Sequence, residues 1–178
     1  MTRYDVLMTG VGGKGVLSAG LLLAQAGMNQ YQNVLWFPSY QAAMRGGPSE
    51  CTVVLSQEEI PSPILSSAQA VVVMEPSQFK DFQTRVISGG LLLAEEAGLP
   101  RELARKDVKL VTVPAVGMGL KLGDTQVSNY VLLGAYIQLT RAITLELAVK
   151  EIEKRFAGRE KTQKLNITAL KQGAEAVA

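Results

Sequence analysis

The sequence contains no histidine and a single cysteine, Cys51, among its 178 residues. Without histidine it cannot build a Ser-His-Asp or Cys-His catalytic site, a histidine-ligated zinc site or an imidazole proton shuttle. With one thiol it cannot form an internal disulfide, a cysteine-based zinc site or an iron–sulfur cluster of its own. These absences favour a chain that holds or positions something over one that performs chemistry alone.

The sequence also lacks a charge excess and a membrane-length apolar segment. Its net charge is only +2, which argues against nucleic-acid binding through bulk charge. The apolar run at residues 15–28 is too short to span a bilayer, and Arg141 and Glu146 interrupt the longer run at 127–149. The first residues show no apolar core of a secretion signal. We therefore expect a cytoplasmic protein that binds no membrane, with Cys51 reduced.

Apolar runs of strand length are what the sequence does have. Six strands are predicted, at residues 4–8, 33–40, 50–56, 70–74, 90–94 and 109–113. Runs of Val and Leu without polar alternation indicate strands that are buried on both faces, as in a mostly parallel sheet between helical layers. The segment from Arg45 to Leu55 follows the second strand too closely for a parallel crossover, so it should pair antiparallel. We expect an α/β fold: a three-layer αβα sandwich with a mostly parallel, partly mixed sheet.

The C-terminal third of the chain is predicted to be helical. Three helices are expected there, at residues 127–144, 145–156 and 166–177, with a charged loop at 158–164. One further helix is expected near the start of the chain, at residues 16–28. In the last helix Asn166 has the character of an N-cap, and Gly173 is expected to weaken the helix. We find no repeat, low-complexity tract or linker, so a single domain is expected over residues 1–178.

A glycine-rich segment separates the first predicted strand from the first predicted helix. Its glycines Gly10, Gly12 and Gly15 satisfy the G-x-G-x-x-G pattern in a strand-to-helix context. Glycines permit positive φ and let backbone N–H groups approach a ligand, and a helix N-terminus attracts anions. Three interpretations stay open: a tight turn that binds nothing, a contact with an anion or a partner-bound cofactor, and an NAD or FAD site.

Two features speak against the common nucleotide motifs. A dinucleotide site needs an acid about 20 residues after the glycines to hold the ribose hydroxyls. Residues 6–49 contain no Asp or Glu. The P-loop pattern also fails, because Val16 follows Gly15 where that pattern requires lysine and then Ser or Thr.

Lys14 and Arg45 are the only charged residues in this acid-free segment. Arg45 precedes a second glycine turn, Gly46-Gly47, where its guanidinium could bind a carboxylate or phosphate. If both bases face one cleft at the carboxyl ends of the strands, they form an anion-attracting mouth. The alternative for Arg45 is a structural role, tying its loop to carbonyl groups.

Other chemistry-bearing residues have simpler interpretations. Cys51 is expected to be a small core residue. Glu75, which follows the fourth predicted strand, is expected to take part in a helix start. Glu95 and Glu96 are expected in a solvated loop.

The paired glycine turns belong to a longer ordered set of segments. These are Gly10–Val16 with Ala19-Gly20, Pro38–Tyr40, Met44–Gly47, Glu50–Ser56, Ile60–Pro63, Ala70–Glu75, Asn129 with Leu133–Ala135, and Leu165-Asn166 with Ala169-Leu170 and Gly173. Together they cover nearly the whole chain and resemble the gamma subunit of 2-oxoacid:ferredoxin (acceptor) oxidoreductases. That module also occurs as a domain of single-chain pyruvate:ferredoxin oxidoreductase. The chain departs from the family at Lys14, where Gln is usual, and at Gln41-Ala42-Ala43, where Gly-Pro-Glu or Gly-Ala-Glu is common.

The resemblance implies a role in coenzyme A-dependent oxidative decarboxylation of a 2-oxoacid to an acyl-CoA, CO2 and reduced ferredoxin. In that family, thiamine diphosphate and the iron–sulfur clusters belong to thiamine-binding and ferredoxin-like partner chains, so this chain is expected to hold no cofactor or metal and no catalytic residue. The stretch 46–51 looks most like the gamma chains of the oxoglutarate and branched-chain types, which favours 2-oxoglutarate. The residues expected at the cofactor-bearing junction are Gly10, Gly12, Gly13, Lys14, Gly15, Arg45, Gly46 and Gly47.

Two other classes of function stay open beside this one. The first is a free-standing oxidoreductase that binds a dinucleotide or flavin, and the second is an interaction domain with no link to a reaction. If the chain is a subunit, its partner-facing apolar surface would be exposed in isolation, so a homodimer is one state open to the isolated chain.

Overall fold

A computed structural model describes residues 3–40, 47–99 and 105–178. The first half of the chain forms β1 (Arg3–Val11), α1 (Val16–Gly27), β2 (Asn33–Tyr40), β3 (Pro48–Ser56), β4 (Ala68–Val73) and the short α2 (Phe79–Phe82). The second half forms β5 (Val86–Glu95), β6 (Lys109–Val113), α3 (Ala115–Lys121), α4 (Ser128–Thr140), α5 (Leu145–Arg155) and α6 (Glu160–Glu175). All six predicted strands are confirmed, with ends that differ by a few residues.

The six strands form one mixed sheet in the order β2-β3-β1-β4-β5-β6. Strands β1, β4, β5 and β6 run parallel, whereas β3 lies antiparallel to both of its neighbours, β1 and β2. The antiparallel pairing expected for residues 45–55 is confirmed over residues 48–55, and the mostly parallel α/β architecture is confirmed as well. Because β1 lies centrally, its carboxyl end is flanked by the start of β3 on one side and the end of β4 on the other.

The central strands β1, β3 and β4 are mostly buried because both faces of the sheet are covered there. On β1, Val6 and Met8 pack into the larger core with α1 and α4, whereas Leu7 packs into a second core with Phe79 and Phe82 of α2. All three strand side chains are almost fully buried. The helical layer is thick on the first face and thin on the second, which is formed by α2 and neighbouring 3₁₀ turns.

The crossing of α4 and α6 corrects the interpretation of Gly173. A Cβ built on Gly173 would lie 1.9 Å from the carbonyl oxygen of Val131, and one on Gly134 would lie 1.9 Å from that of Leu170. The two helices therefore touch backbone to backbone, and each glycine provides the space for this contact. Helix α6 continues through Gly173 despite the low helix propensity of glycine, and the close packing is a role for this residue that propensity does not indicate.

The boundaries of the C-terminal helices also differ from expectation. The N-cap role predicted for Asn166 and most of the loop predicted at 158–164 are wrong, because α6 begins at Glu160 and Asn166 lies buried inside it. The charged residues of this segment form the exposed side of the first helical turns. The helix predicted at 127–144 ends at Thr140, where Arg141 takes a left-handed conformation with φ 56°.

A short helix, α3, is missing from the sequence prediction, and Glu95 explains its position. The expected solvated loop at Glu95 is wrong, since that residue is only 2% exposed. Its two carboxylate oxygens accept hydrogen bonds from the backbone N–H groups of Ala97, at 3.1 Å, and Val116, at 2.9 Å. The carboxylate therefore fixes the start of α3 beside the end of β5.

Candidate functional site at the carboxyl ends of the parallel strands

The glycine loop connects β1 to α1, as predicted. Gly13 and Gly15 have positive φ of 93° and 71°, a conformation that favours glycine. Gly10, at the end of β1, has no room for a side chain, because a Cβ there would lie 2.9 Å from Cγ2 of Val16. The shape of the turn thus favours glycine at positions 10, 13 and 15.

The N-terminus of α1 opens onto this loop. Gly15 is its N-cap, and no side chain in the described part of the chain caps the helix. The first amides of a helix have no intrahelical acceptor and carry a partial positive charge. Since residues 6–49 contain no acid, no carboxylate within this segment of the chain offsets that charge.

The first glycine loop contacts Gly47 of the second glycine pair, which the sequence could not establish. The N–H of Gly12 donates to the carbonyl oxygen of Gly47 over 2.9 Å. This bond continues the β1–β3 ladder one pair beyond Val11 and Pro48. Gly47 is buried at this contact, whereas the predicted site residues Arg45 and Gly46 lie outside the described residues.

Lys14 does not present an unopposed positive charge. Its ammonium lies 3.2 Å from a carboxylate oxygen of Glu75, and both side chains are partly exposed. Glu75 stands at the start of a 3₁₀ turn but makes no side-chain capping bond, so its expected helix-start role is replaced by this ion pair. An exposed pair of this kind contributes about 0–1 kcal/mol, so an anion could replace Glu75 at little cost.

A cleft of about 310 Å³ lies beside the loop. Gly12, Gly13 and Lys14 form one wall, and the other consists of Val116, Thr125, Gln126 and Ser128. It sits at the carboxyl ends of the parallel strands, the place where open α/β sheets bind ligands. Among the described residues, the lining offers an ammonium, hydroxyl groups and an amide and no carboxylate, so it suits an anionic or polar group.

Asn129 anchors the loop from the opposite side, although it is not among the site residues predicted from the sequence. Its Nδ2 donates to the carbonyl oxygen of Gly15 over 3.1 Å, and its side chain is 3% exposed. A Cβ on Gly15 would lie 2.3 Å from that Nδ2, so the Asn129 side chain can take this position only because residue 15 is glycine. The only sequence signal for Asn129 is its place among the segments that carry the family resemblance.

Cys51 is a core residue, as expected. Its side chain is fully buried and its Sγ lies 3.7 Å from the carbonyl oxygen of Val16. Burial raises the pKa of the thiol to about 12, so it stays protonated and is a poor nucleophile. Within residues 3–40, 47–99 and 105–178, no cluster of three or more His, Cys, Asp or Glu residues could hold a metal ion.

The helices in the described part of the chain are all too short or too polar to cross a membrane.

Comparison with known proteins assigns the chain to a family. Residues 5–176 match the family model described as pyruvate ferredoxin/flavodoxin oxidoreductase. Ketoisovalerate oxidoreductase subunit VorA of Methanothermobacter thermautotrophicus is 34% identical over 171 residues, which are 96% of this chain and 35% of VorA. 2-Oxoglutarate synthase subunit KorC of Methanothermobacter marburgensis is 27% identical over 183 residues, covering 98% of this chain and 97% of KorC. The chain thus spans about a third of the length of VorA.

Solved structures agree with this assignment. The gamma subunit of a keto/oxoacid ferredoxin oxidoreductase from Geobacter sulfurreducens superimposes with a TM-score of 0.83 at 25% identity, covering 99% of this chain and 97% of that one. Pyruvate oxidoreductase subunit PORC from Thermotoga maritima gives a TM-score of 0.83 at 26% identity, with 98% and 97% covered. With a family model that matches nearly its whole length, the chain belongs to the pyruvate ferredoxin/flavodoxin oxidoreductase family.

Proposed function

We propose that this chain is the gamma module of a 2-oxoacid:ferredoxin oxidoreductase complex, acting as a single domain over residues 1–178. It would support the coenzyme A-dependent oxidative decarboxylation of a 2-oxoacid to an acyl-CoA, CO2 and reduced ferredoxin. The proposal is supported by the end-to-end match with the KorC and PORC subunits. Thiamine diphosphate and the iron–sulfur clusters would be carried by partner chains, since this chain has no histidine and only one, buried, cysteine.

The hydrogen bond between Gly12 and Gly47 is the observation that carries the proposed site. It joins the first glycine loop to Gly47, which lies two positions after Arg45 in the sequence. We infer that Gly10, Gly12, Gly13, Lys14, Gly15, Arg45, Gly46 and Gly47 contact the thiamine-bearing chain there and shape access for the 2-oxoacid or coenzyme A. Both molecules are anionic, which suits a mouth with two bases.

We propose 2-oxoglutarate as the substrate of the complex. The KorC match over 97% of that subunit supports this choice. Ketoisovalerate is the second candidate, because the VorA subunit has the higher identity, 34%.

Assay of the intact complex decides between these substrates. A tag on this chain isolates the complex, and acceptor reduction is measured with coenzyme A and 2-oxoglutarate, pyruvate, ketoisovalerate or indolepyruvate. We expect the highest kcat/KM with 2-oxoglutarate. A preference for ketoisovalerate would replace the substrate and keep the function, whereas no reduction with any 2-oxoacid would contradict the function itself.

The site is tested by Arg45→Ala in the same complex. Loss of one charge-assisted hydrogen bond to an anion, about 1.4–3 kcal/mol, should raise the apparent KM for the 2-oxoacid or coenzyme A by about tenfold or more. Lys80→Ala is the matched control, since Lys80 is an exposed base on α2, on the other face of the sheet. Unchanged assembly together with unchanged apparent KM values for both substrates refutes the role of Arg45.

A further inference from the structure

The two edges of the sheet are protected to different degrees. Edge strand β6 is five residues long and carries the exposed Lys109. Edge strand β2 has eight residues, and the whole segment 15–44 contains no Asp, Glu, Lys or Arg. Natural edge strands usually avoid pairing with other chains by being short, by being charged or by carrying proline. Strand β2 is neither short nor charged, and Pro38 near its end is its one such feature.

The hydrogen-bond ladder shows which backbone groups of β2 point outward. The hydrogen bond from Gly12 to Gly47 shows that the backbone N–H and C=O groups of even-numbered residues along β1 point toward β3. Those of odd-numbered residues point toward β4, since the N–H of Met74 donates to the carbonyl oxygen of Thr9. Alternation across the registered pairs of β1, β3 and β2 then directs the N–H and C=O groups of Val34 and Trp36 away from β3. The backbone nitrogen of Pro38 also points away from β3, so its missing N–H costs no hydrogen bond to β3.

Apolar side chains flank this edge on both faces of the sheet. On one face, a groove of about 380 Å³ between α1 and β2 has an uncharged lining that includes Leu21, Val34 and Trp36. Met28, which also lines this groove, is 70% exposed, and Phe37 on the opposite face is 42% exposed. An exposed apolar rim along a strand edge that no described strand pairs with is typical of an interaction surface.

We propose that β2 pairs antiparallel with β2 of a second copy of this chain, about a two-fold axis that passes beside Leu35. In this register Val34 and Trp36 of the second copy exchange two hydrogen bonds, and the symmetry repeats them. Pro38 lies opposite Gln32 of the second copy, so its missing N–H removes no bond from the central pairs. The two Leu35 side chains face each other across the axis.

Charge selects a second copy as the occupant. A two-fold contact sets each residue near its own counterpart, so any charged group close to the axis would repel its equivalent. The segment 15–44 brings no charged group of its own to such a contact. The second copy also supplies an identical free edge, and pairing would double the six-stranded sheet.

Cross-linking through Leu35→Cys tests the predicted register. Residues in a pair of this kind have Cβ atoms about 4.5–5.5 Å apart, close enough for a disulfide after a small adjustment. The native Cys51 is fully buried, so the introduced thiol is the reactive one. We expect mild oxidation to yield a covalent species of twice the 19.1 kDa chain mass. The matched control is Ile64→Cys, at a position that is 72% exposed in the β3–β4 connection, which should remain monomeric on the gel.

Light scattering of the isolated full chain measures the association itself. We expect a dimer for the wild type and for Ile64→Lys, and a folded monomer by circular dichroism for Leu35→Lys. A wild-type monomer at every concentration, or a dimer that Leu35→Lys leaves intact, overturns the proposal. So does cross-linking of Leu35→Cys to a different chain in the intact complex, which would make β2 a contact between unlike subunits. None of these results bears on the proposed oxoacid oxidation.

Discussion

Replacing Gly15 with alanine tests how the glycine loop is held. An alanine at φ 71° costs about 1–2 kcal/mol of backbone strain. Its Cβ would also lie 2.3 Å from Asn129 Nδ2, so the buried amide must turn away and lose its bond to the Gly15 carbonyl. That loss adds about 1–3 kcal/mol, because the amide has nowhere else to donate. We expect the free energy of unfolding to fall by about 2–5 kcal/mol.

The matched control is Gly13→Ala in the same loop. Gly13 also has positive φ, 93°, but a Cβ there would meet nothing within 4 Å. Only the backbone cost of about 1–2 kcal/mol should remain. Urea unfolding followed by circular dichroism measures both, provided that the m-value is unchanged.

A double variant isolates the contact. In Gly15→Ala with Asn129→Ala, the methyl group meets no amide, so the combined loss should be at least about 1 kcal/mol smaller than the sum of the single losses. The reasoning is refuted if Gly15→Ala costs no more than Gly13→Ala, or if the two single losses simply add.

Three further outcomes are expected. Gly173→Ala should lower the free energy of unfolding by about 3 kcal/mol or more, because its Cβ would meet a backbone oxygen. Gly117→Ala, where a Cβ meets nothing within 4 Å, should raise it by up to about 1 kcal/mol, and urea titration compares the two variants. Glu75→Gln should free Lys14 and lower the apparent KM of the complex for its anionic substrate, while Lys14→Gln should raise it, and a shift of both in one direction contradicts the ion-pair account. Burial raises the pKa of Cys51 from 9.0 to about 12, so the stability that the protonated thiol contributes is complete below pH 9 and is lost as the pH rises towards 12. Cys51→Ala should therefore lose less unfolding free energy at alkaline pH than the wild type. Equal losses in the two proteins would contradict this linkage.

Local patterns are enough to predict the strands. Val71, Val72 and Val73 form a run with no polar alternation, and the structure buries all three completely. The strand-to-helix position of the glycine loop also follows from neighbouring residues alone, since a turn of that shape needs glycines at positive φ.

The convergence at the site depends on pairing between distant segments. Gly12 and Gly47 meet only because β3 inserts antiparallel between β1 and β2, and Lys14 meets Glu75 only because β4 lies on the other side of β1. No property of either residue alone indicates its partner. The same limit explains Glu95, whose charge suggests exposure until α3 supplies backbone donors to it.

Helix propensity alone is a poor predictor where close packing against another helix determines which residue fits. Gly173 is unfavourable in an isolated helix, yet α4 approaches so closely that a larger residue would meet the Val131 carbonyl. Helix α3 contains two glycines, Gly117 and Gly119, so its helix propensity is low and it is not predicted. A Cβ built on Gly119 would lie only 2.9 Å from the carbonyl oxygen of Asp124, so packing explains that glycine.

The central claim is that this chain supports oxoacid oxidation only within a complex. Its most direct test is coenzyme A-dependent acceptor reduction with 2-oxoglutarate, measured on the purified chain and again after the chain is combined with its partner subunits. We expect a colourless chain with no activity alone and activity once the complex is assembled. A purified chain that absorbs as a flavoprotein, or that oxidises the oxoacid unaided, would contradict the claim.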